Sequence, residues 1–248
     1  MTNILISGCN GRMGRVIADI CGKDAELHVV AGFDIVLPQT ITFPVYSKFE
    51  DFTGTADALI DFSSPGSIDD GLLAFCVKRK IPAVLCTTGY SEAQTALIGE
   101  AAKLIPIFKS ANMSIGINLL ADIVREAAGK LGIDFDAEIV ESHHRQKVDA
   151  PSGTALLLAD AVKSGRSDKL ENVYERQSRR EPRGSGEIGI SAVRGGTIPG
   201  EHTVIFAGRD EVIEFKHTVY SREVFAAGAV RAAKFIADIK EPGFYSKF

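Results

Sequence analysis

The chain has 248 residues, of which 45% are hydrophobic and 24% charged, the balance of a soluble globular protein with room for one large domain or two modest ones. Lys and Arg number 28 against 32 Asp and Glu, a net charge of −4 that argues against general DNA or RNA binding. No apolar run is long enough to span a bilayer, the N-terminus lacks the order of a secretory signal, and Cys9, Cys21, Cys76 and Cys86 have neither zinc nor disulfide-frame spacing, so a cytoplasmic protein without membrane or metal is expected.

The first half alternates short apolar runs with helical patterning. Strands are predicted at Ile4–Ile6, Leu27–Phe33, Ala58–Ile60, Ala83–Leu85 and Ile105–Phe108. Helices are predicted between them at Arg12–Gly22, Ser67–Lys80 and Ser91–Lys103. Continuously apolar strands alternating with helices imply a parallel sheet covered on both faces, a doubly wound α/β architecture of the Rossmann kind. After Asn112 the pattern changes to a helix at Gly116–Leu131, a strand at Ala137–Ser142 and a helix at Thr154–Lys163. A polar, arginine-rich stretch spans Arg176–Gly186, in which Arg176–Arg183 reads as a solvated loop, with a mobile basic lip as the alternative. Strands at Ile188–Val193, Thr203–Ala207 and Val212–Val219 follow without intervening helices, which predicts a second, α+β domain with a mixed sheet. The last helix, Glu223–Ile239, should pack back on the first domain, giving domains of 1–112 with 222–248 and of 113–221.

The turn Gly8-Cys9-Asn10-Gly11-Arg12-Met13-Gly14 leaves the first strand and opens the first helix. Glycines here permit a tight turn, close approach of a pyrophosphate and close helix–sheet packing, while the helix N-terminus faces the phosphates. Asp34 ends the second strand, where a carboxylate can accept from ribose hydroxyls. Ile35 follows it without a charge for a 2′-phosphate, a lean toward NADH that Arg12 moderates. Asp61-Phe62-Ser63, Thr87-Thr88-Gly89 and Ser110-Ala111-Asn112-Met113 stand at the carboxyl ends of the next three strands, the edge where such sheets bind ligands. Singly, each reads equally well as a cap or turn.

The most informative segment is Glu141-Ser142-His143-His144-Arg145-Gln146-Lys147-Val148-Asp149-Ala150-Pro151-Ser152-Gly153-Thr154-Ala155. Its histidines and lysine offer positive charge and transferable protons, and Ser152-Gly153-Thr154 opens a helix whose N–H groups suit a carboxylate. A compact anion that needs a proton fits this segment.

Taken together these motifs resemble the 4-hydroxy-tetrahydrodipicolinate reductase (dihydrodipicolinate reductase) family of the diaminopimelate route to lysine. The resemblance runs nearly end to end, through Gly8–Arg15, Ile60–Ser63, Thr87–Tyr90, Ala111–Asn118, Glu141–Ala155, Val193–Thr203 and Ser221–Arg231. It implies an NAD(P)H-dependent oxidoreductase that removes water from a cyclic dicarboxylate and reduces the product. It further implies a homotetramer built through the second domain's sheet, and domains that close on a hinge near Met113 and Tyr220. By motif match His143 is a proton donor/acceptor and Lys147 a proton donor, either of which could supply the proton. His144, Gly153 and Thr154, with Ser152 beside them, bind substrate. Gly8, Cys9, Asn10, Gly11, Arg12, Met13, Asp34, Phe62, Cys86, Thr87, Thr88, Ser110, Ala111, Asn112 and Met113 line the cofactor site. Two other classes compete: a different two-domain nicotinamide enzyme, against which the His-His-x-x-Lys run speaks, and a non-catalytic NAD-sensing module, which would tolerate loss of His143.

Overall fold

The structure is a computed structural model that describes residues 1–36, 41–110 and 112–247. The chain separates into two compact units, Met1–Met113 with Glu223–Phe248, and Ser114–Arg222.

The first unit is built on seven parallel strands in the order β12-β6-β5-β4-β1-β2-β3. These are β1 (Thr2–Ser7), β2 (Leu27–Phe33), β3 (Val45–Tyr46), β4 (Ala58–Asp61), β5 (Ala83–Leu85), β6 (Pro106–Phe108) and β12 (Gly243–Tyr245). Strand order reverses between β1 and β4, the switch point at which such sheets leave a crevice. The central strands have no solvent-facing side: Ile4, Leu5, Ile6, Leu59 and Ile60 are all fully buried, which is why they read as continuous apolar runs. Helix α1 (Arg12–Lys23) and α7 (Glu223–Ala237) pack together over one face, α7 burying Ala226, Ala229, Ala232, Ala233 and Ile236. The other face carries α3 (Leu72–Arg79) and an aromatic group of Phe33, Phe49, Phe52 and Phe75. Helix α4 (Glu92–Ala102) begins at a full capping box, with Ser91 and Gln94 satisfying each other's N–H groups.

Two expectations are corrected in this unit. The helix expected over Ser67–Lys80 is two pieces, α2 (Gly66–Asp69) and α3, because Gly71 takes φ +99°, a left-handed conformation that no helix continues through. The terminal helix stops at Ala237 rather than Ile239, and the chain after it returns to pair β12 with β6.

The second unit holds the mixed sheet β11-β10-β7-β9-β8, composed of β7 (Asp136–His143), β8 (Glu171–Val173), β9 (Glu187–Arg194), β10 (Glu201–Ala207) and β11 (Val212–Thr218). β10 runs antiparallel to β7 and β11, whereas β7–β9 and β8–β9 are parallel. Helices α5 (Ile115–Leu131) and α6 (Gly153–Gly165) pair with each other and bury Ile117, Val124, Leu158 and Val162 with Ile139, Val204 and Phe206 of the sheet. Burial along β7 alternates strictly, so Ala137, Ile139, Glu141 and His143 share the covered face.

The arginine-rich stretch is the exposed loop that was expected, but two of its arginines are anchored. Arg176 pairs with Glu187 at 2.5 Å and Glu138 at 2.8 Å, and Arg183 with Asp136 at 2.6 Å and Glu138 at 2.9 Å. The carboxylates come from β7 and β9, so the sheet's own acidic row fastens this stretch down.

Candidate active site

At the switch point, Gly8 takes φ +76° as the chain leaves β1, and its N–H donates to Phe33 O at 2.9 Å. A Cβ on Gly8 would lie 2.7 Å from the Phe62 carbonyl oxygen, and one on Gly14 only 2.2 Å from the Gly8 carbonyl oxygen. The turn therefore packs backbone against backbone, where no side chain fits. Helix α1 starts at Gly11 with no side-chain cap and no acidic residue in its first turn. Uncapped N–H groups at the positive end of a helix fit a pyrophosphate.

A cavity of about 740 Å³ opens beside this turn, lined by Gly8, Asn10, Gly11, Asp34, Phe62 and Lys48 among others. Asp34 is oriented by the N–H groups of Asn10 (2.9 Å) and Val36 (3.2 Å), and Ile35 beside it is 91% exposed. Asp61 is fully buried and ties two strand ends together, accepting from Ser63 Oγ at 2.5 Å and Thr87 Oγ1 at 2.7 Å.

Not every expected cofactor residue faces this cavity. Cys9 is fully buried, with its thiol pushed up to about 11 by burial and then by the Asp34 charge, so only its backbone is near the turn. Met113 is a core residue packed beneath α7. Arg12, Met13, Cys86, Thr87, Thr88, Ser110 and Asn112 are outside the lining of this cavity, and Ala111 lies outside the described residues. Burial raises the Cys86 thiol well above its ordinary value, and the Asp61 charge adds to this, which leaves it a neutral group.

In the second unit the geometry centres on a residue the sequence reading quoted but gave no role, Glu141. Its carboxylate is fully buried and receives four donors. Oε1 accepts from Arg194 Nη2 at 2.7 Å and Ser152 N–H at 3.0 Å. Oε2 accepts from Arg194 Nη1 at 2.8 Å and His143 Nδ1 at 2.5 Å. Burial alone would raise the Glu141 pKa; the bonds from Arg194, His143 and Ser152 outweigh it and hold the pKa below the usual value. An ionised carboxylate only accepts, so His143 carries its proton on Nδ1. Burial lowers the His143 pKa despite the Glu141 charge beside it, so the ring is neutral and its Nε2 holds the lone pair.

Lys147 and His202 bear on His143, and His144 follows it in the chain. Lys147 pairs with Asp149 at 2.8 Å and is 22% exposed. His144 Nε2 accepts from Arg222 at 3.1 Å. His202 packs edge-on to His143 at 5.1 Å between ring centres, and its Nε2 lies 3.0 Å from Ser152 Oγ. Ser152, expected to bind substrate, is 2% exposed, and its hydroxyl is committed to capping α6 through Ala155 N–H and to His202. Its contribution is to place the helix start. Gly153, the first residue of α6, has open space where a Cβ would be, so a ligand can approach the peptide there. Thr154 follows it in the first turn.

Arg194 and His202 went unassigned from the sequence because register alone brings them here: β9 pairs Arg194 with His143, and β10 pairs His202 with Glu141. The available signal was Glu141 itself, an acid two residues from His143 on the buried face of an alternating strand, which requires a cationic partner.

Models of the dihydrodipicolinate reductase N-terminus and C-terminus match residues 2–113 and 116–247. This chain belongs to the dihydrodipicolinate reductase family. It is 50% identical over 247 residues to the 4-hydroxy-tetrahydrodipicolinate reductase of Clostridium tetani, covering 99% of this chain and 95% of that one. It is 51% identical over 247 residues to the reductase of the same name from Caldanaerobacter subterraneus subsp. tengcongensis, covering 99% and 96%. Among solved structures, a dipicolinate-bound dihydrodipicolinate reductase from Paenisporosarcina sp. TG-14 superposes with a TM-score of 0.80 at 25% identity, over 99% of this chain and 98% of that one. The chain is thus an NAD(P)H-dependent oxidoreductase.

Proposed function

We propose that this reductase converts 4-hydroxy-tetrahydrodipicolinate to tetrahydrodipicolinate with loss of water, using the side chains of the second unit's cluster as acid and base. The observation that carries this reading is the cluster itself: a neutral imidazole fixed by a buried ion pair, a lysine four residues on, and an accessible helix start. Gly8 to Met13 and Asp34 hold the dinucleotide, through peptide N–H groups for the pyrophosphate and a carboxylate for a ribose. Bound NAD(P)H supplies hydride to the ring carbon that carried the hydroxyl.

The residues divide the proton work. Water leaves as the C–O bond breaks: His143 Nε2, unprotonated at neutral pH, takes the proton of the neighbouring ring carbon and passes it to the departing hydroxide. As reduction adds electron density to the conjugated imine, a proton must come in at the neighbouring carbon. Lys147 is its donor, with general-acid help of roughly 10²–10⁴-fold in rate. His144 and the Gly153–Thr154 helix start hold a carboxylate of the substrate.

Two finer assignments follow. Asp34 beside the uncharged Ile35 favours a 2′-hydroxyl over a 2′-phosphate, which supports NADH over NADPH. A homotetramer through the second unit's sheet, in the cytoplasm where the free cysteines Cys9, Cys21, Cys76 and Cys86 stay reduced, accords with the family.

The test follows absorbance at 340 nm with NADH and NADPH and freshly generated substrate from the coupled synthase. Turnover must occur, with the larger kcat/KM for NADH. A loss under ~10-fold on Lys147→Ala removes that residue from the donor role. Light scattering reads the oligomer directly, against a chain mass of 26.6 kDa.

A further inference from the structure

We infer that Glu141, clamped by Arg194, is a positioning residue that sets the tautomer of His143 and thereby fixes which ring nitrogen is free to take a proton. The inference rests on the proposed role of His143 in proton transfer, but its main readout does not.

The geometry is specific about how the clamp works. Both oxygens of Glu141 are filled with two donors each, so the carboxylate has no freedom to rotate away from the imidazole. Arg194 does more than neutralise it. Its Nη2 also donates to the Asp149 carbonyl at 2.5 Å, and Asp149 is the ion-pair partner of Lys147. One guanidinium therefore reaches both the carboxylate that orients His143 and the turn that carries the partner of Lys147. At the opposite edge of the ring, a Cβ on Gly200 would lie 3.2 Å from His143 Nε2, so the chain passes close to that nitrogen through a residue without a side chain.

The four donors are not equivalent, and this sets what an amide would do. Arg194 Nη2 and Ser152 N–H, which converge on Oε1, can never accept a hydrogen bond. On the Oε2 side, His143 Nδ1 can exchange its proton for a lone pair, and Arg194 Nη1 keeps a second acceptor, the Val193 carbonyl at 2.8 Å. In Glu141→Gln the amide oxygen therefore takes the Oε1 position and the NH₂ group faces His143. The ring must then accept at Nδ1, and its neutral form carries the proton on Nε2. The shape of the cluster is preserved while the lone pair moves to the wrong nitrogen.

The experiment is ¹⁵N-edited NMR of the imidazole nitrogens in the full chain, paired with steady-state kinetics. In the native protein His143 should show a protonated Nδ1 and an unprotonated Nε2; the reverse overturns the inference whatever the variants do. Glu141→Gln should exchange the two signals and lower kcat by ~10²–10⁴-fold, with KM changed less than about 3-fold and NADH affinity unchanged. Glu141→Asp, which keeps an acceptor-only group, should retain the native tautomer and recover part of kcat. A Glu141→Gln protein that keeps the native tautomer, or that exchanges it and turns over within about 3-fold of native, refutes the assignment. Should the Gln variant not fold, the native and Glu141→Asp tautomers still decide. His143→Ala separates the two readings: undiminished turnover would end the proton-transfer role of His143 and leave the tautomer measurement standing.

Discussion

Replacing Gly14 by Ala tests the backbone reading of the cofactor turn more sharply than any charge change. Gly14 is the third residue of α1 and is buried. A Cβ there would sit 2.2 Å from the Gly8 carbonyl oxygen and 2.6 Å from Cys9 Cα. Favourable non-bonded contacts lie near ~3.5 Å, so the helix start must retreat from the turn by roughly 1 Å. Overpacking of this kind costs about 1–3 kcal/mol, against a helix-propensity gain of about 1 kcal/mol for Gly to Ala. The net expectation is a loss of up to ~2 kcal/mol in urea unfolding. Displaced N–H donors also weaken phosphate binding; charge-assisted bonds contribute about 1.5–3 kcal/mol each, so loss of one raises the Kd for NADH by at least ~10-fold. Gly22, in the same helix, has nothing within 4 Å of its would-be Cβ. Gly22→Ala should therefore gain about 0.5–1 kcal/mol and bind NADH normally. Fluorescence titration and urea melts of the pair decide the matter. If Gly14→Ala matches Gly22→Ala in stability and binds NADH within two-fold of native, the close-approach argument is wrong.

Other outcomes follow from the second unit. Ser152→Ala removes the α6 cap and the partner of His202 Nε2, so differential scanning calorimetry should show a loss of about 2 kcal/mol; under ~0.5 kcal/mol would mean the cap is redundant. His202 has its pKa lowered to about 4, first by burial and then by the neighbouring His143. A histidine depressed in the folded state binds its proton more readily when unfolded, so its contribution is full above pH 6.5 and is lost as pH falls toward 4, a change of roughly 3 kcal/mol. His143, His217, Lys147 and Glu141 face the same cluster, and the lowered His143 and His217 act in the same direction. Urea melts between pH 7 and 4.5 should show this slope, and His202→Gln should flatten it. Arg183→Ala, which strips ion pairs from Asp136 and Glu138, should raise protease sensitivity around residue 180 with a stability change under ~1 kcal/mol, because these pairs are partly exposed.

How much of this could be read from the chain depended on the range of the interaction. The Gly8–Gly14 turn, the central strands and Asp34 announce themselves locally, because a left-handed glycine, a two-faced buried strand and an acid at a strand end are each confined to a few residues. The break at Gly71 was missed because glycine also occurs within helices, and nothing nearby shows that it takes positive φ. β3, β8 and β12 have two or three residues each, too few for periodicity, and backbone pairing with a neighbour defines them. The Arg176–Arg183 stretch is an exposed loop as its sequence suggests, but its anchoring does not show in the chain. A charge run is solvated unless opposite charge is held opposite it, and Asp136, Glu138 and Glu187 come from strands placed there by sheet register. Likewise the segment Glu141–Ala155 advertised its histidines and lysine, but not the guanidinium and second imidazole that other strands bring to them.

The proposed function has the two units hold their ligands by different physics, and this divides the effects of mutation and pH between kinetic constants. On the proposed function the pyrophosphate is held by peptide N–H groups around the Gly8 turn, which do not titrate and are fixed by close backbone contacts, and a ribose by the Asp34 carboxylate. On the same reading the substrate side works through the His143 imidazole, oriented by the buried Glu141 carboxylate, and Lys147. Acidification should therefore lower kcat as His143 Nε2 takes up a proton, while the affinity for NADH stays level over the same range. A bell or plateau in kcat that is mirrored in the NADH Kd would contradict this separation. It would mean that the second unit's cluster, rather than the turn and Asp34, governs dinucleotide binding.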